Sequence, residues 1–234
     1  MYDLTFAVVS VISVFSYYFL GNKEKWIERG VNDIQTAYWN AFQTLIWSIG
    51  VLFLRGGNVT IWTILPILPT TFIYGEISEL PGFAFDLTSK IPPVALTILI
   101  LIALVFVTYV VYLTYTRSQC CSLYMNVQFF APFILFLAWM LSWLFMLNPS
   151  QSVVDGVTVT TTRSMHVHHW MIGVIGFLLA KDGTIVSDII SGIFWGVFCQ
   201  AMASYGLGLP IDTKITIPAQ PPSAYHVYSA HAKT

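Results

Sequence analysis

Charged residues fall in short clusters along the chain, and long apolar runs separate them. A helix needs roughly 20 predominantly apolar residues to cross a bilayer. On that ruler the pattern predicts six spans, at about 4–20, 34–54, 91–116, 123–147, 165–180 and 185–206. Span two carries Gln35, Asn40, Gln43 and Ser48, so its polar side is expected to face other helices more than lipid. Span four contains Pro132, an expected kink, and Trp139, Trp143 and Phe145, which suit either an aromatic belt or lipid-facing packing.

Residues 56–75 are also uncharged, but Pro66 and Pro69 interrupt their apolar part. Proline removes a backbone donor and breaks a free-standing helix. This stretch is therefore expected to be re-entrant or interfacial. Residues 153–162 alternate weakly around Asp155 and Gly156, which suggests a small hairpin outside the membrane. Residues 210–234 hold Pro210, Pro218, Pro221 and Pro222 and read as an extended tail. The fold class expected is all-α: a polytopic transmembrane helical bundle over residues 1–209, with the tail at 210–234.

Composition agrees with the pattern. Only 9% of residues are charged and 56% are hydrophobic, whereas a soluble domain carries about 25% charged residues. That excludes an ordinary soluble enzyme and a disordered chain. A net charge of −1 with no basic block excludes a nucleic-acid partner. The partners expected are the lipid bilayer and either other membrane subunits or a second copy of the chain. The N-terminal stretch lacks the positive region of a signal peptide and reads as a retained first span.

Six spans place both termini on one side. Lys and Arg divide equally between the two sides, with Lys23, Lys25, Arg29, Arg117 and Lys181 in the shorter loops. Positive charge in short loops marks the cytoplasmic side, so the termini are expected to be outside or lumenal. Cys120 and Cys121 fall on the side of the short loops, as juxtamembrane thiols that are either palmitoylated or unmodified. The sequon at Asn58 falls on the opposite side.

The chemistry concentrates at His166, His168 and His169, followed by Trp170. On a helix His166 and His169 share a face, which continues through Gly173, Gly176 and Ala180. The last span has a ridge of its own at Asp188, Gly192, Gly196, Gln200 and Ala203, with a GxxxG spacing that lets backbones approach closely. The turn at Lys181, Asp182 and Gly183 makes the two helices antiparallel neighbours. Cys199, Gln200 and Tyr205 then come near the level of the histidines, and Asp188 lies at the far end.

Two readings of this cluster stand side by side. In one, His166, His168 and His169, with Cys199, bind a transition metal such as Zn, Cu or Fe, and Gln200, Tyr205 and Trp170 support the site. In the other, the histidines hydrogen-bond to loops or headgroups, and Trp170 is an interface anchor. Among motifs of other chemistry, HExxH, GxSxG and a phosphate loop are missing from the sequence. Asp188, an acid inside a span, is expected to cap the start of its helix.

The run His166-Val167-His168-His169-Trp170, the short turn, and then Ser187, Gly192, Gly196, Gln200, Tyr205 and Gly206 resemble a set of uncharacterised polytopic membrane proteins. Those proteins carry a His-x-His-His-Trp motif in a C-terminal helical hairpin. The resemblance is limited to about residues 164–208 and implies no established activity. The expected function is a membrane-embedded, His-rich site acting on a lipid or other hydrophobic small molecule. The alternative is a structural or assembly subunit that binds a partner helix through Gly173, Gly176, Gly192 and Gly196.

Overall fold

The computed structural model describes residues 2–21, 34–56, 59–79, 93–142, 150–154, 157–165, 169–207 and 211–216. His166, His168, Asn58, Trp143, Phe145, Asp155 and Gly156 lie outside the described residues.

The chain is mainly helical. Its helices are α1 (Tyr2–Ser16, continued by a π turn over Tyr17–Gly21), α2 (Ile34–Arg55), α3 (Ile61–Ile64) and α4 (Ile67–Glu79). They are followed by α5 (Pro93–Cys120), α6 (Leu123–Ser142), α7 (His169–Leu179) and α8 (Ile185–Tyr205). Among the described residues three helices are long and apolar enough to cross a membrane: Tyr2–Leu20, Ile34–Arg55 and Ile185–Tyr205. Large apolar side chains such as Leu4, Phe53, Val105 and Leu135 stand on the outside, as a lipid-facing surface requires and a water-facing one disfavours.

A small sheet accompanies the helices. Strands β1 (Ser150–Val154), β2 (Val157–Met165) and β3 (Ile211–Thr216) form an antiparallel sheet in the order β1-β2-β3. Val154 pairs with Val157 across the expected hairpin turn. Met165 pairs with Ile211, so the segment expected to be an extended tail begins as a strand against β2. Val, Ile and Thr dominate β2 and β3, and their branched side chains suit a pleated surface.

Two hydroxyls on the inner face of α2 are satisfied within the helix. Asn40, Thr44 and Ser48 recur on the inner face of α2 and are buried, as the sequence pattern expects. Thr44 donates to the Asn40 carbonyl at 2.8 Å, and Ser48 to that of Thr44 at 2.7 Å. Such back-bonding satisfies the hydroxyl without a partner helix. Gln35, by contrast, is exposed.

The stretch with Pro66 and Pro69, expected to be re-entrant or interfacial, is helical. Thr60 caps α3 by accepting from the Trp62 amide, the helix is broken at Leu65 and Pro66, and α4 continues it. A proline in the first turn of α4 costs little, because those amides have no helical acceptor anyway. The pair α3–α4 runs beside α8 in the same direction. Thr60 meets Asp188 at one end, Thr71 donates to the Gly196 carbonyl at 3.2 Å in the middle, and Tyr74 reaches His169 at the other end.

The glycine ridge of α8 explains this contact. A Cβ at Gly192 would collide with the Thr63 carbonyl, and one at Gly196 would lie 2.7 Å from the Ile67 carbonyl. Gly192 and Gly196 therefore face α3–α4. Gly173 and Gly176 face α8, where Phe198 and Phe194 fill the space their missing side chains leave.

The core is aromatic. Phe6 of α1, Phe177 of α7 and Trp195 of α8 pack with centroids 4.9 to 5.2 Å apart, and Phe198 stacks on Trp195 at 4.3 Å. The Trp195 indole donates to the Ser10 hydroxyl at 2.8 Å, tying α8 to α1.

Candidate functional site

The polar groups with the most built surroundings lie at the end of the bundle opposite His169. Arg55 closes α2 and Asp188 sits in the first turn of α8. Arg55 Nη2 donates to Asp188 Oδ1 at 3.2 Å, with the two side chains 3% and 7% exposed. Arg55 Nη1 donates to the Ser191 hydroxyl. Thr60 donates to the second Asp188 oxygen at 2.7 Å. The guanidinium lies 4.7 Å from the Phe177 ring centroid. Asp188 does not cap α8. Thr184 does, accepting from the Ser187 amide at 3.1 Å in extended backbone geometry.

A cavity of about 1020 Å³ opens beside this pair. Its polar lining includes Arg55, Arg117, Lys181, Asp182 and Asp188, and its apolar wall includes Leu54, Met125, Phe129, Pro132 and Leu135. Three elements bring the cations together: the end of α2, the end of α5, and the turn between α7 and α8. The expected topology placed Arg55 on the side opposite Arg117 and Lys181. The structure instead brings the three to one cavity, with α3–α4 lying beside α8 between Arg55 and α5.

The Phe129 ring of α6 holds two of the cations. The Arg117 guanidinium is 3.9 Å from its centroid and the Lys181 ammonium 4.8 Å. Arg117 Nε also donates to Asn126 Oδ1 at 3.2 Å. Burial first, then Arg55 and Arg117, push the Lys181 pKa down to about 8. Burial opposes ionisation of Asp182, but hydrogen bonds from Ser187 and Thr184 outweigh it and hold that carboxyl below its ordinary value. Gly183 adopts φ 85°, a left-handed conformation that costs glycine little.

Of the residues expected to form a metal site, His169 and Cys199 are among the described ones. His169 opens α7 and meets Tyr74 edge-on, with centroids 5.5 Å apart. Cys199 is fully buried and its thiol faces Ser10 of α1. Gln200 is buried, its amide nitrogen donates to Ser204 at 3.0 Å, and its carbonyl oxygen has no hydrogen-bond partner. Tyr205 is half exposed at the end of α8. Trp170 is not an interface anchor: it is 3% exposed and packs against Trp47 of α2 and Phe136 and Trp139 of α6. Among the described residues no group of three or more His, Cys, Asp or Glu is placed to hold a metal. α7 begins at His169, and His166, expected on the same helix face, lies outside the described residues.

Sequence reasoning passed over Arg55, Thr60, Arg117 and Lys181 as site residues. One signal was present: Asp188 and Ser191 are three apart on the face of α8 that the polar end of α2 must meet. Comparison with protein-family models, with curated proteins and with solved structures found no match.

Proposed function

We propose that the chain is a multi-pass membrane protein that holds an amphiphilic small molecule, of lipid type, in the cavity beside Arg55 and Asp188. In this reading α1, α2, α3–α4, α5, α6, α7 and α8 make seven passages, and the N- and C-terminal ends lie on opposite sides. The observation that carries it is the cavity itself, about 1020 Å³ with one apolar wall on α6 and charged groups at one end. Ligand sites are typically clefts of about 300–1,000 Å³ with mostly apolar walls and a few placed polar groups. The test is lipid retained by the full chain in mild detergent, weighed by native mass spectrometry. Wild type should keep a lipid adduct, and Ala131→Trp, which fills the cavity from α6, should lose it.

A second reading keeps the histidines as a metal-dependent site for the same class of molecule. The contact of His169 with Tyr74 supports it by placing an imidazole and a phenol at one level. Its test is metal content of purified protein, wild type against His166→Ala with His169→Ala. The glycines of α7 and α8, on which an assembly reading would draw, pack against this chain's own residues.

A further inference from the structure

Three cations meet at the cavity, and their partners distinguish them. Arg55 spends its two terminal nitrogens on Asp188 and Ser191. Asp188 spends its oxygens on Arg55 and Thr60. Asp182 is turned to its own loop, accepting from the Thr184 amide at 3.0 Å and the Thr184 hydroxyl at 2.7 Å. Among the described residues the ion pair is Arg55–Asp188, and no described carboxylate pairs directly with Arg117 or Lys181, although Arg117 attracts Asp182 at longer range.

Those two cations are nonetheless held in place. Both lie over Phe129, within 5 Å of one centroid. An aromatic face attracts a cation but does not neutralise it. Holding two like charges on one ring inside a half-enclosed space raises their energy, unless an anion joins them. Burial and the neighbouring arginines already weaken the protonated form of Lys181. An arginine and a lysine side by side suit a phosphate, since the guanidinium offers a planar fork and the ammonium a point charge. Below them the wall of α6 presents Met125, Phe129, Pro132 and Leu135, where a charged headgroup would be followed by hydrocarbon.

We infer that the cavity is selective for an anionic amphiphile, with a phosphate headgroup between Arg117 and Lys181 and its chain along α6. This rests on the reading of the cavity as an amphiphile site. Phosphate chemistry is shared by lipid headgroups and free phosphate, and the apolar wall favours the lipid.

The test uses the full chain, delipidated in neutral detergent and titrated with phosphatidylglycerol, phosphatidylcholine or inorganic phosphate, with adducts read by native mass spectrometry. Wild type should prefer phosphatidylglycerol to phosphatidylcholine by about tenfold, the equivalent of about one charge-assisted contact. Lys181→Gln and Arg117→Gln should each remove most of that preference, weakening phosphatidylglycerol more than phosphatidylcholine, whose phosphate is offset by its own ammonium. Lys181→Arg, which keeps the charge, should retain the preference. Equal binding of the two lipids by wild type, or a preference that survives both Gln variants, would overturn the inference while leaving the cavity a lipid site. Displacement of the lipid by millimolar inorganic phosphate would overturn it too, because the tail would then contribute nothing. Absence of any lipid adduct in wild type would instead sink the amphiphile reading as a whole.

Discussion

Arg55 and Asp188 stand 133 residues apart in the chain and share a buried hydrogen bond of 3.2 Å. The pair joins the end of α2 to the start of α8, and Thr60 on the second Asp188 oxygen adds the start of α3. Removing one member of a buried pair leaves the other charge uncompensated, at a cost of about 3–5 kcal/mol. Asp188→Ala should therefore lower the melting temperature of the detergent-purified protein sharply. Replacing both groups, Arg55→Met with Asp188→Leu, should recover much of the loss. A single variant that melts with wild type would show that the pair does not hold these helices together.

Glycine substitutions should separate close packing from open space. Gly192→Ala puts a methyl group into the Thr63 carbonyl, and overpacking of this kind costs about 1–3 kcal/mol. Gly50 on α2 has nothing within 4 Å of its added Cβ, so Gly50→Ala should be neutral or stabilising by up to about 1 kcal/mol. Thermal melts of the two variants check the contrast, and equal melts would contradict the placement of α3–α4 against α8.

Lys181 should give stability a pH dependence. Its pKa is about 8 in the folded chain, against about 10.4 for a free lysine. The folded state then binds fewer protons than the unfolded one between those values, so stability rises with pH across that window. Below the folded pKa the cost of the buried ammonium is fully present. The charged groups around it are Arg55 of α2, Arg117 of α5, and Asp182 and Asp188, which line the same cavity. The melting temperature of delipidated wild type, measured against Lys181→Met, should climb from about pH 8 to about pH 10. A constant difference between the two would contradict the shift.

Much of the architecture was legible in the sequence, and the reasons for the rest are local. The charge clusters located the two ends of α2 and α8 because an unpaired charge is expelled from an apolar helix. The buried stripe of α2 followed from polar residues at helical spacing. The ridge of α8 was legible as a close-approach face, but spacing says nothing about which helix approaches. Its partner is α3–α4, a stretch set aside for Pro66 and Pro69. Those prolines break a lone helix, yet here they are tolerated at the start of α4, and the far side of the chain lies against Gly192 and Gly196. Arg55 and Lys181 then line one cavity. His169 and Cys199 illustrate the opposite limit. Their level along the hairpin was readable, but their directions, toward Tyr74 and Ser10, depend on helices far away in sequence.

The metal reading makes its own prediction. If His166 and His169 are ligands, purified wild type should carry a transition metal in stoichiometric amount and the double alanine variant should not. Equal metal content in both, measured by elemental analysis, would remove the histidines from consideration as ligands.

The account depends above all on Arg55, Arg117 and Lys181 sharing one end of the bundle. Cysteine labelling in sealed vesicles tests this directly. Native Cys120, exposed at the end of α5, reports for Arg117. Asn58→Cys and Gly183→Cys, each introduced with Cys120→Ser and Cys121→Ser, report for the ends of α2 and α7. A membrane-impermeant maleimide should label all three positions from the same side. Labelling of Asn58→Cys from the side opposite Gly183→Cys would restore the six-span topology and contradict the shared cavity.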